Sequence, residues 1–231
     1  MDAVYKNIAN IVVKPFLKWY LKRVRPFKYE DFYFEIFPGV FHPSFFFSTK
    51  FLLEYLERFD LEGISFCEPG CGSGVVSIFA AKKGAHVTSF DINPTAVENV
   101  KHNIALNEIL LKGYHPIEVL RSDLFDSVKQ QQFDMLVINP PYFFDYPKSD
   151  EQRAWYCGKN GEYFKKLFYQ LAEFTHEKSR VYMILAQNCD IQEITRIASN
   201  FGLSFELMVQ KKIWWEKNYI YRLTHKPNAG P

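Results

Sequence analysis

Three glycines alternate in the segment Glu68-Pro69-Gly70-Cys71-Gly72-Ser73-Gly74, directly after a short apolar run. Alternating glycines let the main chain turn sharply, and they let a ligand approach main-chain N–H groups at the start of a following helix. The spacing is G-x-G-x-G, whereas the dinucleotide fingerprint is G-x-G-x-x-G. The pattern by itself is also compatible with a merely flexible loop.

Two acids follow the next two apolar runs. Asp91 stands 21 residues after the first of those glycines, where its carboxylate can accept both hydroxyls of a ribose. Asp123 can accept from an adenine amino group while Leu124 or Ile92 packs on the ring. Either acid alone would be interpreted as a solvated loop acid or a helix cap. The glycine loop and the two acids, in this order, predict a nucleoside pocket.

A fourth apolar run ends in Asn139-Pro140-Pro141-Tyr142. A Pro-Pro pair alone indicates a stiff turn, because each ring fixes φ. Beside a nucleoside pocket, the same stiffness would hold a carbonyl and the Asn139 side chain in set directions. Two such acceptors suit a planar NH2 group, both of whose N–H bonds must be satisfied. Tyr142 then offers a ring face to the plane that carries this nitrogen.

The apolar period alternates along the chain between that of a strand and that of a helix. Strands are predicted at Ile64–Cys67, His86–Phe90, Ile117–Leu120, Phe133–Ile138 and Val181–Ala186, and helices at Ser48–Arg58, Val75–Lys83, Pro94–Asn107, Gly161–His176 and Ile191–Phe201. This alternation is typical of a parallel sheet with helices on both faces. Leu203–Gln210 and Lys217–Leu223 have no helix between them and are expected to form an antiparallel edge.

The N-terminal region has a different pattern. Phe32–Phe37, the turn signal Pro38-Gly39 and Val40–Pro43 predict a β-hairpin. The first thirty residues predict an amphipathic helix that restarts near Pro15, and six basic residues but no acid lie between Ile11 and Lys28. We interpret this stretch as a solvated helix face in preference to a nucleic-acid-binding arm.

Composition excludes several classes of protein. The 231 residues are 48% hydrophobic and 23% charged, with 28 basic and 26 acidic side chains, which excludes a disordered chain and a highly charged polyanion binder. The four cysteines and six histidines have no zinc-site spacing, so no metal is expected. No apolar run reaches membrane-spanning length and no secretory signal is evident, so we expect a cytoplasmic protein.

Aromatic residues are abundant, with 23 Phe, 14 Tyr and 4 Trp. Core packing is expected to account for Phe32, Phe34, Phe51, Phe59, Phe66, Phe79, Phe133, Phe168 and Phe174. A second group is expected to border the nucleoside pocket and comprises Phe45–Phe47, Tyr142–Phe144 and Tyr146. A third group, Trp19, Tyr20, Trp214 and Trp215, is a candidate partner surface.

From roughly Phe32 to Leu223 the chain resembles the class I S-adenosylmethionine-dependent methyltransferases, and among them the HemK-type glutamine N5-methyltransferases. Glu68–Gly74 is similar to their cofactor loop and Asn139–Tyr142 to their substrate loop. Gly39–Pro43 is similar to their hairpin, and Ser48-Thr49 is similar to their threonine-containing segment, which closes over the cofactor. Gly158–Gly161 is similar to their glycine-containing start of a helix.

The resemblance implies a three-layer, doubly wound Rossmann-like fold with a seven-stranded, mostly parallel sheet whose last strand is antiparallel. We expect an N-terminal helix and hairpin at residues 1–45, the methyltransferase domain that the resemblance implies at 46–226 and a tail at 227–231. The implied cofactor-binding residues are Thr49, Glu68, Pro69, Gly70, Cys71, Gly72, Gly74, Asp91, Ile92, Asp123, Leu124 and Asn139. The implied catalytic residues are Asn139, Pro140, Pro141 and Tyr142.

The implied cofactor is S-adenosylmethionine and the implied substrate is a protein glutamine; short members of the family often pair with a small zinc-ribbon activator. Asn-Pro-Pro-Tyr-Phe also occurs in adenine N6-methyltransferases acting on tRNA, rRNA or DNA, so a nucleic-acid substrate stays open. The segment Phe45–Lys50 departs from the charged pattern usual in the bacterial branch, so partner contacts there could differ. A nicotinamide oxidoreductase or a non-enzymatic binding module fits these motifs less well.

Overall fold

The computed structural model describes residues 22–44, 47–213 and 216–225. Its nine strands are β1 (Arg25–Tyr29), β2 (Phe32–Ile36), β3 (Ser65–Pro69), β4 (His86–Asp91), β5 (Glu118–Arg121), β6 (Phe133–Ile138), β7 (Thr175–Ala186), β8 (Leu203–Ile213) and β9 (Glu216–His225). Its six α-helices are α1 (Phe47–Leu56), α2 (Val75–Lys82), α3 (Pro94–Leu106), α4 (Glu108–Leu111), α5 (Glu162–Phe174) and α6 (Ile191–Ser199), and a 3-10 turn spans Glu151–Ala154.

Seven strands form one sheet in the order β5-β4-β3-β6-β7-β9-β8. Strands β3 to β7 are parallel, while β9 runs antiparallel to both of its neighbours, β7 and β8. The predicted mostly parallel sheet with an antiparallel last strand is therefore confirmed. The order reverses beside β3, and the crevice at such a reversal is where doubly wound sheets bind ligands.

Helices cover both faces of the sheet, as the alternating pattern predicts. Helices α1 to α4 and the hairpin pack on one face, around buried side chains such as Leu52, Phe66 and Ile78. Helices α5 and α6 pack on the other face, around Phe164, Leu167 and Ile194. Of the nine phenylalanines assigned to the core, all are buried except Phe59, which is partly buried against it.

The hairpin pairs differently from the prediction. Strand β2 pairs with the preceding β1, joined by a tight turn in which Glu30 has a φ of +50°, whereas Val40–Pro43 was expected as its partner. The expectation is wrong because the main chain after β2 is engaged elsewhere. The N–H of Phe37 donates to the side chain of Asn99, and the following segment lines a cavity described below.

Three asparagines at intervals of four residues join helix α3 to β2. The Oδ1 atoms of Asn99, Asn103 and Asn107 accept from the main-chain N–H groups of Phe37, Glu35 and Tyr33, at 2.9, 2.9 and 3.1 Å. The spacing of the asparagines along the helix matches the spacing of the N–H groups along the strand, since one helical turn advances about as far as two strand residues. The Asn103 side chain also donates to the Ser73 carbonyl over 2.9 Å, so one residue links the hairpin to the glycine loop.

Several sequence predictions lie outside the described residues. They are the N-terminal helix up to residue 21, with Trp19 and Tyr20, the aromatic residues Phe45 and Phe46, the pair Trp214 and Trp215, and the tail from 227. The helix was predicted over the first thirty residues, and its last part is wrong, because Arg25–Tyr29 pairs with β2 as strand β1. Within the described part of the chain, no helix combines the length and apolarity needed to cross a bilayer.

Candidate functional site

A cavity of about 470 Å³ opens at the carboxyl ends of β3, β4, β5 and β6. Its volume falls in the range of sites for small molecules, roughly 300–1,000 Å³. Its wall also includes the segment after the hairpin, the first turn of α5 and the loop that follows β6. The topology therefore brings the glycine loop, both acids and the Asn-Pro-Pro-Tyr segment to one site.

The glycine loop connects β3 to α2 in a conformation that depends on left-handed backbone. Gly72 has a φ of +53° and Gly74 a φ of +77°. A Cβ on Gly72 would meet no atom within 4 Å and would extend into open space, whereas a Cβ on Gly74 would lie 2.8 Å from Val100 Cγ1. Gly72 thus keeps the loop surface open, and Gly74 permits the start of α2 to lie close to the side chain of Val100 in α3.

Four main-chain N–H groups of the glycine loop bond within the protein, whereas the sequence predicted that a ligand could reach them. Those of Gly70 and Cys71 both donate to the Phe90 carbonyl, at 2.8 and 3.1 Å. The N–H of Gly72 donates to Asp91 Oδ2 at 3.0 Å, and that of Gly74 to the Cys71 carbonyl at 2.8 Å. For these four groups the expectation of free donors is wrong, because the loop uses them to hold its own shape.

Asp91 ends β4 with each carboxylate oxygen accepting one main-chain N–H. Oδ2 accepts from Gly72, and Oδ1 accepts from Asn93 at 2.9 Å. Burial raises the pKa of Asp91, and these two hydrogen bonds oppose the rise. Each oxygen keeps lone-pair capacity for one more donor, which suits a ligand with two neighbouring hydroxyls.

Glu68 belongs to β3, two residues before Gly70, and is only 7% exposed. Burial raises its pKa to about 8, although a short hydrogen bond from the Ser77 hydroxyl acts in the opposite direction. The carboxyl group therefore holds a proton near neutral pH. A cation arriving in the cavity would favour loss of that proton.

Asp123 and Leu124 follow β5. Leu124 is buried with a φ of +52°, a strained conformation for a residue other than glycine. Asp123 is exposed and forms an ion pair with Lys166 Nζ at 2.8 Å, and Lys166 also contacts Asp126 at 2.6 Å. The turn is thereby tied to α5, with Leu124 and Asp123 both in the cavity wall.

Asn139 is the first residue after β6, and its position is set by the buried strand before it and the buried Pro140 after it. Its Nδ2 donates to the Ser48 hydroxyl over 3.4 Å. Tyr142 is half-buried, with its ring centroid 5.0 Å from that of Phe143. Burial raises the pKa of Tyr142 well above its usual range, so its phenol stays neutral.

The aromatic lining agrees only partly with the prediction. Tyr142 and Tyr146 line the cavity, but Phe143, Phe144 and Phe47 do not. Phe144 instead packs against Phe164, at 6.4 Å between ring centroids. The cavity is lined by other rings that were not assigned to it from the sequence, namely Phe41, Phe90, Trp155, Tyr156 and Tyr163.

Nearly all of the residues assigned from sequence meet at this cavity. Thr49, Glu68, Gly70, Cys71, Gly72, Asp91, Ile92, Asp123, Leu124, Asn139, Pro140, Pro141 and Tyr142 all line it. Pro69 and Gly74 do not, because Pro69 is the last residue of β3 and Gly74 faces Val100. The sequence missed Tyr163 and Lys166, for which the Gly158–Gly161 pattern before α5 was the available signal. Within residues 22–44, 47–213 and 216–225, no three His, Cys, Asp or Glu side chains group as metal ligands would.

Comparison with known proteins identifies relatives of this arrangement. The family model of the methyltransferase small domain matches residues 32–154. A protein of Methanocaldococcus jannaschii named "Putative protein N5-glutamine methyltransferase" is 28% identical over 192 residues, covering 79% of this chain and 90% of that relative.

Among the solved structures that share the fold are an Mtq2–Trm112 complex and an rRNA methyltransferase. The E. cuniculi Mtq2–Trm112 complex has a TM-score of 0.59 at 24% identity, covering 82% of this chain and 99% of the matched one. The T. thermophilus 16S rRNA N2 G1207 methyltransferase, solved with AdoMet and guanosine, has a TM-score of 0.61 at 17% identity, covering 89% and 50%.

Proposed function

This chain belongs to the methyltransferase small domain family, and we propose that it methylates the side-chain amide nitrogen of a glutamine in a protein. It is an S-adenosylmethionine-dependent methyltransferase.

The cavity residues fit the cofactor. Asp91 has acceptor capacity for two hydroxyls, Gly72 leaves open space above the loop, and the buried Glu68 lies where a cationic ligand would be favoured. We assign Asp91 to the ribose of the cofactor, and Asp123 with Leu124 and Ile92 to its adenine. The rest of the cofactor would contact Thr49, Glu68 and the glycine loop. When bound, the cofactor supplies an electrophilic methyl group on a sulfonium.

Asn139 and Pro140 would hold the nitrogen that is methylated. An amide nitrogen is weakly nucleophilic because its lone pair is delocalised, so orientation has to supply much of the acceleration, up to about 7–11 kcal/mol. The Asn139 Oδ1 and the Pro140 carbonyl oxygen would accept the two N–H bonds and stabilise the positive charge that grows on nitrogen. The Tyr142 ring would support the amide plane, with Pro141 fixing the turn. One N–H proton is lost in the reaction, and a cationic nitrogen of this kind releases it readily to water.

We propose glutamine because the chain matches the M. jannaschii protein over 90% of that relative's length, and that protein is named for glutamine N5 methylation. The E. cuniculi complex adds support, since it is described as responsible for methylation of the eRF1 translation termination factor. We therefore propose a translation release factor as the substrate class. The second protein in that complex also supports a small activator subunit for this chain.

Incubation with methyl-labelled S-adenosylmethionine and cell extract, followed by separate digestion with protease and nuclease, tests the proposal. Label that protease releases and nuclease does not is the expected result. Label that only nuclease releases would contradict it and would favour the alternative, an adenine in RNA or DNA. That alternative remains relevant because the T. thermophilus structure of similar fold acts on rRNA.

A further inference from the structure

Tyr163, in the first turn of α5, has a hydroxyl group without a hydrogen-bond partner in the described part of the chain. The oxygen is buried, although the residue as a whole is half-buried. Tyr163 also lines the cofactor cavity. An unpaired buried hydroxyl costs free energy that a phenylalanine would avoid. The packing of the protein alone therefore gives no reason for a tyrosine here.

The ring of Tyr163 is held firmly in place. Its main-chain N–H donates to the Cys157 carbonyl over 3.0 Å, and its ring packs edge-on against the fully buried Phe164, with 5.4 Å between centroids. Gly158 and Gly161, with φ of +88° and +70°, form the turn that starts the helix at the cavity wall. The position of the hydroxyl is thus built into the fold.

The cavity that Tyr163 lines also contains the two acids of the site, Asp91 and Asp123. Burial raises the pKa of Tyr163 beyond its usual range, and the carboxylates of Asp91 and Asp123 raise it further. The phenol therefore keeps its proton and can donate it. One turn along α5, Lys166 forms its ion pair with Asp123, so this edge of the helix faces Asp123.

We infer that the Tyr163 hydroxyl donates a hydrogen bond to the adenosine half of the cofactor, the half that we assign to Asp91 and Asp123. This inference rests on the cofactor assignment of the proposed function and is independent of the methyl acceptor. The bound nucleoside supplies the acceptor that the protein lacks. Tyr163 is in this account a binding residue with no part in the transfer of the methyl group.

Calorimetric titration of Tyr163→Phe with S-adenosylhomocysteine and with methylthioadenosine, which lacks the amino-acid portion, tests the inference. Both dissociation constants should rise by the same factor, about five- to twentyfold, as expected for loss of one hydrogen bond. The Tm of the free variant should equal or exceed that of wild type, because the removed hydroxyl is unpaired there. Tyr169→Phe is the matched control, since Tyr169 is on the same helix and 67% exposed.

Unchanged binding of both ligands by Tyr163→Phe would overturn the inference, and so would a loss confined to S-adenosylhomocysteine. A lowered Tm of the free variant would also contradict it, because the hydroxyl would then have a structural role. If wild-type protein binds neither ligand, the cofactor assignment on which the inference rests is wrong, and this result is distinguishable from the others.

Discussion

The side-chain amide of Asn139 donates from Nδ2 to the hydroxyl oxygen of Ser48, across 3.4 Å and between residues 91 positions apart in the chain. Oδ1 is the only acceptor atom of this amide, and the contact of Nδ2 with Ser48 fixes the direction in which Oδ1 points. Helix α1, which carries Ser48, therefore orients the residue to which we assign the methyl acceptor.

Ser48→Ala should lower kcat about three- to tenfold, because the Asn139 amide loses the contact that fixes its orientation. The dissociation constant of S-adenosylhomocysteine should stay within about twofold of wild type, since binding of the cofactor does not need that orientation. Ser48→Thr keeps a hydroxyl and should retain most of the activity. If both variants have wild-type kcat, Ser48 does not position Asn139.

Asn139→Ala should reduce kcat by about 100- to 1,000-fold, the effect of removing one acceptor aimed at developing charge. Affinity for S-adenosylhomocysteine should change by less than about threefold. Steady-state kinetics and a calorimetric titration of the same preparation measure the two quantities. Equal losses in both would show that Asn139 serves cofactor binding and not the acceptor nitrogen.

Gly74→Ala should be more destabilising than a glycine replacement that adds only backbone strain. At Gly74 the new Cβ adds a 2.8 Å contact with Val100 to the strain of a φ of +77°, so we expect a loss of about 2–4 kcal/mol in the free energy of unfolding. Gly113→Ala is the control, since its φ is +90° but no atom lies within 4 Å of the added Cβ. It should cost about 1–2 kcal/mol.

Urea unfolding of both glycine variants measures the difference between them. Val100→Ala in the Gly74→Ala background should recover part of the loss, which a double-mutant cycle would detect as coupling. Equal destabilisation at the two glycines would mean that α2 and α3 yield easily around the new methyl group.

Glu68→Gln should change how stability of the cofactor-free protein depends on pH. The pKa of Glu68 is raised to about 8, so between about pH 5 and pH 8 the folded protein holds a proton that the unfolded chain has lost. Stability should therefore fall as pH rises through this window, with a limiting slope of about 1.4 kcal/mol per pH unit for one proton.

The glutamine variant lacks this titration while keeping a group that can bond to Ser77. Subtracting its pH profile of unfolding free energy from that of wild type isolates the contribution of Glu68 from that of Asp91, whose pKa burial also raises. A difference that is flat between pH 5 and pH 8 would contradict a protonated Glu68.

The sequence predicted most of the sheet and helices because their signals are local. Strand β6 has the predicted bounds, Phe133–Ile138, and Pro94 begins α3 as expected for a proline in the first turn. The hairpin partner was missed because it depends on distant contacts. Asn99 takes the N–H of Phe37 from 62 residues away, and no short-range pattern reveals such a bond.

The candidate site was predictable where a motif lies at the end of a strand, as for Asp91 and Asn139. The site residues on α5 were not predictable, because which of them line the cavity depends on how that helix packs against the sheet. Tyr163 and Lys166 follow only a weak glycine pattern and belong to a helix whose sequence shows ordinary amphipathic spacing.

The chemical form of the transferred methyl group distinguishes a glutamine amide from other acceptors. Substrate labelled by the wild-type enzyme with methyl-labelled S-adenosylmethionine can be hydrolysed in strong acid and its volatile base collected. Methylation of a glutamine amide predicts that the label leaves as methylamine, because acid cleaves the amide bond to the methylated nitrogen. Label that stays on a purine base or on an amino acid that survives hydrolysis would contradict the account.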